Sequence, residues 1–82
     1  MEQTFIVKSP SGLHARPAAL LVQKAGSFPC DVFLVKGEKK VNAKSIMSIL
    51  ALGIETNEKI VVITQGEKEA EAMQAIGDLL EA

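Results

Sequence analysis

The chain contains Val32-Phe33-Leu34-Val35-Lys36-Gly37-Glu38-Lys39-Lys40-Val41-Asn42-Ala43, two strand-forming runs on either side of a glycine-containing turn. This pattern predicts a hairpin of antiparallel strands over residues 32–35 and 40–43. Two more β-rich runs, residues 4–7 and 60–64, are separated from the hairpin by longer segments with helical signals. A short hairpin together with helical crossovers predicts an α+β domain whose helices cover one face of a sheet.

Three segments outside the strands are predicted to be helices. The first covers residues 15–25, with Pro17 in its first turn, and the second covers residues 46–52, between an N-cap at Ser45 and a stop at Gly53. The third follows Gly66 and has acidic residues in its first turns. Apolar spacing predicts these inward-facing side chains: Ala18, Leu21, Val22 and Ala25; Ile49 and Leu52; Ala70, Met73, Ile76 or Gly77, and Leu80. The resulting order is β-α-β-β-α-β-α, and periodicity leaves the order of the strands in the sheet open.

Composition narrows the classes of function. The 82 residues are 48% hydrophobic and 23% charged, which predicts one globular domain over residues 1–82. A single Cys excludes an internal disulfide, and the shortage of His and Cys ligands argues against a catalytic metal, so no cofactor is expected. The net charge of −1 and the absence of Tyr and Trp disfavour binding to nucleic acid. Without a signal-like start or a long apolar run, the expected location is the cytoplasm, with no membrane partner.

The only His and the only Arg of the chain lie two residues apart, in Leu13-His14-Ala15-Arg16-Pro17. A position at the start of a helix disfavours the protonated imidazole, which leaves His14 with a free nitrogen that acts as a nucleophile. An anion added to that nitrogen would meet unpaired helix N–H groups and the guanidinium of Arg16. The pair therefore predicts a residue that accepts phosphate. A structural cap or an unreactive exposed His is the alternative that spacing leaves open.

The short second helix has too many apolar residues for one buried face. Ile49 and Leu52 are predicted to enter the core, while Leu20 lies off the core face of the first helix. The side chains left over for a protein-docking patch are Leu20, Ile46, Met47 and Leu50. The alternative is that a neighbouring element covers them. Cys30 has no base beside it in sequence and is interpreted as an inert thiol.

Two motifs resemble the HPr family, the histidine-containing phosphocarriers of the bacterial phosphoenolpyruvate:sugar phosphotransferase system. Gly12-Leu13-His14-Ala15-Arg16-Pro17-Ala18 resembles the active-site segment of that family. Lys44-Ser45-Ile46-Met47, followed by Leu52-Gly53, resembles the regulatory serine segment of low-GC Gram-positive members. The likeness covers essentially the whole chain. It implies an open-faced β-sandwich, with a four-stranded antiparallel sheet of order 1-4-2-3 covered on one face by three helices.

The resemblance implies a stoichiometric phosphocarrier rather than an enzyme. His14 would receive a phosphoryl group on Nδ1 from Enzyme I and pass it to sugar-specific IIA domains, and Arg16 would stabilise that group. Ser45 matches the serine that HPr kinase/phosphorylase modifies, after which the protein would act as corepressor with catabolite control protein A. Ile46, Met47 and Leu50 match the exposed apolar patch that those partners use, and Leu20 is added to them from its position off the core face of the first helix. The expected state is a monomer.

Two positions depart from the Gram-positive pattern: Ser48 stands where relatives often have Gly, and Leu50 where they often have Met. Both residues are compatible with a helix, but they leave the details of repressor binding open. Two other functions also remain open. One alternative is a purely regulatory module whose His14 never turns over. Crh-type relatives have such a role, but they keep the regulatory serine and lack the active-site His, so the presence of His14 argues against it. The other is a small hydrolase resembling acylphosphatases, which have a comparable α+β scaffold but a different order of elements.

Overall fold

Strands and helices follow the predicted order in this computed structural model, which describes residues 1–10, 12–13 and 15–82. The strands are β1 (Glu2–Ile6), β2 (Asp31–Lys36), β3 (Lys39–Asn42) and β4 (Lys59–Gln65). The helices are α1 (Ala15–Gly26), α2 (Ile46–Leu52) and α3 (Glu69–Leu80). The predicted bounds of α2 are confirmed, and the strands begin and end within two residues of their predicted positions. Within the described ranges, no helix is long and apolar enough to cross a membrane.

The four strands form one antiparallel sheet in the order β1-β4-β2-β3. β4 lies between β1 and β2: Ile60 pairs with Phe5 on one side, and Val62 pairs with Leu34 on the other. The β2–β3 hairpin pairs Leu34 with Val41, as the glycine-containing turn predicted. The strand order implied by the resemblance is confirmed, and with it the open-faced sandwich of four strands and three helices.

The core lies between the helices and one face of the sheet. Alternate residues of β4 are buried, Ile60, Val62 and Thr64, whereas Val61 and Ile63 on the opposite face are half-buried. This alternation is typical of an antiparallel sheet that is covered on one side. The buried Thr64 is satisfied because its hydroxyl donates to the Glu69 carbonyl oxygen, 2.9 Å away, at the start of α3. That bond ties the end of β4 to the helix that follows it.

The predicted core faces of α1 and α2 are confirmed, and one residue of α3 was assigned to the wrong face. Ala18, Leu21, Ala25, Ile49 and Leu52 are buried, and Val22 is half-buried against them. In α3 the buried residues are Ala72, Met73, Ile76, Gly77 and Leu80. Ala70 was expected in this set but is exposed. At about 100° per residue, it points roughly 120° away from Ile76, whose face continues through Ala72 and Leu80 at intervals of four.

Gly77 lets β1 and α3 come into direct contact. The ring of Phe5 packs where a Gly77 side chain would be, and a β-carbon there would overlap two ring atoms and lie 3.2 Å from Phe5 Cδ1. Phe5 is itself only 7% exposed, so its ring has little room to move away. The glycine is therefore a packing requirement inside a helix whose propensity would favour Ala.

Gly77→Ala is expected to lower the free energy of unfolding by about 1–3 kcal/mol, because the added methyl overpacks the Phe5 ring. Gly26→Ala is the matched control, since that glycine is also helical and has open space around its β-carbon position. The control should be neutral or stabilising by up to about 1 kcal/mol. Urea denaturation followed by circular dichroism measures both variants. Equal effects of the two substitutions would contradict the packing argument.

Candidate functional site

The segment before α1 is held against the loop that follows α2. The Leu13 N–H donates to the Ile54 carbonyl oxygen at 3.0 Å, and Leu13 is buried. The Ser9 carbonyl oxygen accepts two bonds, from the Gly12 N–H at 3.0 Å and from the Thr56 hydroxyl at 2.6 Å. These bonds fix the backbone at Ser9, Gly12 and Leu13, and Leu13 is the residue that precedes His14 in the sequence.

Gly12 makes this close approach possible. Its φ of +70° lies in the left-handed region. A β-carbon on Gly12 would overlap the Ile54 carbonyl oxygen and lie 2.8 Å from Glu55 Cα. Both obstacles are backbone atoms, so no side-chain rotation would relieve the overlap. In the sequence, Gly12 stands out as part of the motif around His14, and its contact with the loop after α2 was not predicted.

Of the predicted phosphate-binding pair, Arg16 can be placed and His14 lies outside the described residues. Arg16 is exposed in the first turn of α1, which contains no acidic residue. Together with Leu13, Pro17 and Leu20 it lines a cavity of about 180 Å³. The described neighbours of His14 in the sequence are thus a buried, hydrogen-bonded Leu13 and the first residue of a twelve-residue helix. The N-terminus of such a helix, with an Arg beside it, favours an anion.

The loop after α2 is braced by an ion pair that sequence reasoning did not find. The Lys36 ammonium donates to the Gly53 carbonyl oxygen at 2.9 Å and lies 3.1 Å from the Glu58 carboxylate. The same carboxylate accepts the Glu55 N–H at 2.7 Å. The Glu55 N–H and then the Lys36 ammonium hold the pKa of the Glu58 carboxyl below its ordinary value. No motif could have revealed this pair, because Lys36 is on β2 and is brought to the loop only by the tertiary fold.

Ser45 is the N-cap of α2, as predicted. Its backbone is extended, with φ −118° and ψ 113°, and its hydroxyl oxygen accepts the Ser48 N–H at 3.4 Å. The Ser48 hydroxyl donates to the same oxygen at 3.0 Å. Gly53 ends the helix in the left-handed conformation, with φ 62°, and this predicted stop is also confirmed. The two hydrogen bonds hold the Ser45 side chain in place, and because it is half-buried, part of it is accessible to solvent.

Three of the four predicted docking residues are exposed: Met47 by 73%, Leu20 by 50% and Leu50 by 38%. Ile46 differs, since it is half-buried and packs against the core from the first turn of α2. Arg16 and Leu20 line the same cavity on α1, whereas Met47 and Leu50 project from α2, and these two helices pack against each other. The exposed apolar surface therefore extends from both helices.

Comparison with known proteins identifies this arrangement. The whole chain, residues 1–82, matches the family PTS-HPr, described as "PTS HPr component phosphorylation site". The chain belongs to the PTS-HPr family. The HPr-like protein Crh of Bacillus subtilis (strain 168) is 49% identical over 76 residues, which cover 93% of this chain and 89% of that protein.

Solved structures of HPr proteins have the same fold. HPr-C-His of Thermoanaerobacter tengcongensis superimposes with a TM-score of 0.95 at 46% identity, covering 99% of this chain and 91% of the other. The phosphocarrier protein HPr of Bacillus anthracis str. Ames gives a TM-score of 0.95 at 42% identity, covering 98% and 95%. The family match and these structures confirm the predicted resemblance to HPr. The members of this family are phosphocarriers rather than catalysts.

Cys30 of this HPr-family chain does not contribute to the exposed surface. It is 2% exposed and packs in the core, where its Cα and Cβ lie 3.4 Å from the β-carbon position of Gly66. A buried thiol in apolar surroundings is unreactive, which agrees with the interpretation of Cys30 as inert.

Gly12→Ala is expected to destabilise this HPr-family protein far more than Gly37→Ala, although both glycines have left-handed φ angles of +70° and +60°. Gly37 has open space around its β-carbon position, so its substitution costs only the conformational strain, about 1–2 kcal/mol. Gly12→Ala should cost at least about 2 kcal/mol more, because the overlapping atoms belong to the backbone. Equilibrium unfolding in urea measures the difference. Equal losses would show that the contact with Ile54 and Glu55 yields easily.

Proposed function

We propose that this HPr-family protein accepts a phosphoryl group on His14 from phosphorylated Enzyme I and donates it to IIA domains of sugar permeases. His14 is the only imidazole in the chain. The observation that supports the role is the position of its neighbours: Leu13 is hydrogen-bonded to Ile54, and the twelve-residue helix α1 starts at the residue after His14. The unpaired N–H groups at the start of that helix are donors for the anion that a nucleophile preceding it in the sequence would receive.

Arg16 is proposed to stabilise the transferred phosphoryl group. Its guanidinium is permanently charged and presents several N–H donors in one plane, a geometry that matches phosphate oxygens. Because Arg16 is exposed, it can contact the anion while a partner protein approaches, and it can release the anion when that partner leaves. A carrier needs this balance, since its phosphorylated form must survive between two partners without being locked.

Incubation with Enzyme I, phosphoenolpyruvate and Mg²⁺ should place about one acid-labile phosphate on each chain, as expected for a phosphohistidine. His14→Ala should take up none, because the chain has no second imidazole. Arg16→Ala should keep the acceptor but slow the uptake by roughly 10-fold or more, from the loss of a charge-assisted contact. Radiolabelled phosphoenolpyruvate and an acid wash measure all three proteins. Label that persists in His14→Ala would refute the assignment.

Ser45 is proposed to be the site of a second, regulatory phosphorylation by HPr kinase/phosphorylase. Support comes from its half-buried side chain at the start of α2, beside the highly exposed Met47. A phosphate at the first turn of a helix is electrostatically favourable, so the modification would not unfold α2. The phosphorylated form is proposed to act as corepressor with catabolite control protein A in carbon catabolite repression.

The partner-binding surface is proposed to consist of Leu20, Met47 and Leu50, with Ile46 contributing its exposed part. Large apolar side chains exposed on adjacent helices are typical of a protein-docking surface. The same surface would serve Enzyme I, the IIA domains, the kinase and the repressor, each in turn. We also propose that residues 1–82 act as one domain in the cytoplasm.

With ATP and the kinase of a Gram-positive relative, the protein should acquire one acid-stable phosphate, because a serine ester resists the acid that cleaves a phosphohistidine. Ser45→Ala should abolish this label. Ser27→Ala is the matched control, since the Ser27 hydroxyl is exposed and donates to the Lys24 carbonyl oxygen, away from α2. Intact-protein mass spectrometry after acid treatment gives the count. An unchanged yield in Ser45→Ala would contradict the proposal.

A purely regulatory role remains the second candidate, and the 49% identity to the HPr-like protein Crh favours it. The Enzyme I experiment distinguishes the two roles, because a purely regulatory module would take up no acid-labile phosphate from Enzyme I. That this protein is a monomer stays a prediction. A structure of Crh from Bacillus subtilis is described as an intertwined, swapped dimer, and one of HPr from Thermoanaerobacter tengcongensis as a dimer.

A further inference from the structure

We propose that Ser48 restrains the Ser45 hydroxyl and thereby sets the rate at which Ser45 is phosphorylated, an inference that rests on the proposed regulatory role of Ser45. The Ser45 hydroxyl oxygen accepts two hydrogen bonds, and Ser48 supplies both. One comes from the Ser48 hydroxyl at 3.0 Å, and the other from the Ser48 N–H at 3.4 Å. A serine oxygen has two lone pairs, so both are occupied in the resting protein.

Phosphorylation needs one of these lone pairs. The Ser45 oxygen attacks the terminal phosphorus of a nucleoside triphosphate, an O–P bond forms, and the bond from that phosphorus to its bridging oxygen breaks. The nucleoside diphosphate leaves, and the Ser45 hydroxyl proton passes to a base of the kinase. Ser48 keeps its own proton throughout. A lone pair that accepts a hydrogen bond is a weaker nucleophile, so one bond from Ser48 must open before the attack.

The two bonds differ in how they open. The Ser48 N–H is fixed by the backbone of α2, whose first turn is held by the Ile49 N–H donating to the Ser45 carbonyl oxygen at 3.1 Å. The Ser48 hydroxyl is on a side chain that rotates, and the half-buried position of Ser48 leaves its proton other acceptors in water or in a partner. Rotation of the Ser48 hydroxyl is therefore the step that frees Ser45 without disturbing the N-cap. Ser48 is a positioning residue, since it acts through Ser45.

The test compares wild type, Ser48→Ala and Ser48→Thr as substrates of the HPr kinase with ATP. Ser48→Ala should raise kcat roughly fivefold, the factor expected for one neutral hydroxyl hydrogen bond, with KM unchanged. Ser48→Thr keeps the hydroxyl and should return kcat to the wild-type value. Thermal unfolding of each variant accompanies the kinetics, because a role limited to helix stability would shift the melting temperature without changing kcat. Ser27→Ala controls for the loss of a serine hydroxyl elsewhere.

The outcomes separate this proposal from the role of Ser45. If wild type is labelled at Ser45 and Ser48→Ala has the same or a lower kcat, the restraint is refuted while Ser45 remains the phosphorylation site. If only Ser48→Ala is labelled at Ser45, the restraint is stronger than expected and the proposal stands. If neither protein is labelled, both ideas fail. Peptide mapping completes the test, because phosphate found on Ser48 itself would overturn its role as a positioning residue.

Discussion

The alternating side chains of β4 are the constraint on which the rest of the molecule depends. Ile60, Val62 and Thr64 are buried, and the strand is paired with β1 on one side and β2 on the other. A shift of one residue in either pairing would turn this buried set toward solvent, so the registers on both sides are strongly specified. The ends of β4 are fixed as a result. Near its C-terminal end, the Thr64 hydroxyl donates to the Glu69 carbonyl oxygen at the start of α3. At its N-terminal end, β4 directly follows the loop after α2.

The loop between α2 and β4, residues 53–58, connects the sheet to the candidate site through hydrogen bonds. The carbonyl of Ile54 holds Leu13, and the hydroxyl of Thr56 holds the Ser9 carbonyl. Lys36, on β2, reaches the same loop through Glu58 and Gly53. Most of these contacts end on backbone atoms, so they fix the backbone at Ser9, Gly12 and Leu13 whatever the side chains nearby do. A rigid backbone next to the reactive group would benefit a carrier that meets several proteins.

Local sequence signals predicted the helices and strands, whereas contacts between residues far apart in the sequence could not be predicted from it. The helix starts and stops came from Pro17, Ser45 and Gly53, each of which acts within one turn of its own position. Ala70 was misassigned because a spacing of three to Met73 resembles a helical face, although the buried stripe actually passes through Ala72. The Lys36–Glu58 pair and the contact between Gly12 and Ile54 join separate elements, so no periodicity contains them. The strand order came from the resemblance to HPr, and the placement of His14 stays a prediction.

The two proposed phosphorylations differ in the bond that each forms, and this difference fits the two positions. A phosphate on an imidazole nitrogen is labile, which would suit onward transfer from His14, two residues before Arg16 in the sequence. A phosphate on Ser45 is a stable ester, and it would add close to two negative charges at the start of α2. Met47 and Leu50 project from that same helix, so the added charge would lie at the edge of the proposed docking surface. A partner that approaches with acidic groups would be repelled, and one that offers cations would be favoured. Phosphorylated Ser45 would therefore select among partners through the surface that the proposed transfer from His14 would also need, and the Ser48 hydroxyl would determine how readily that selection is made.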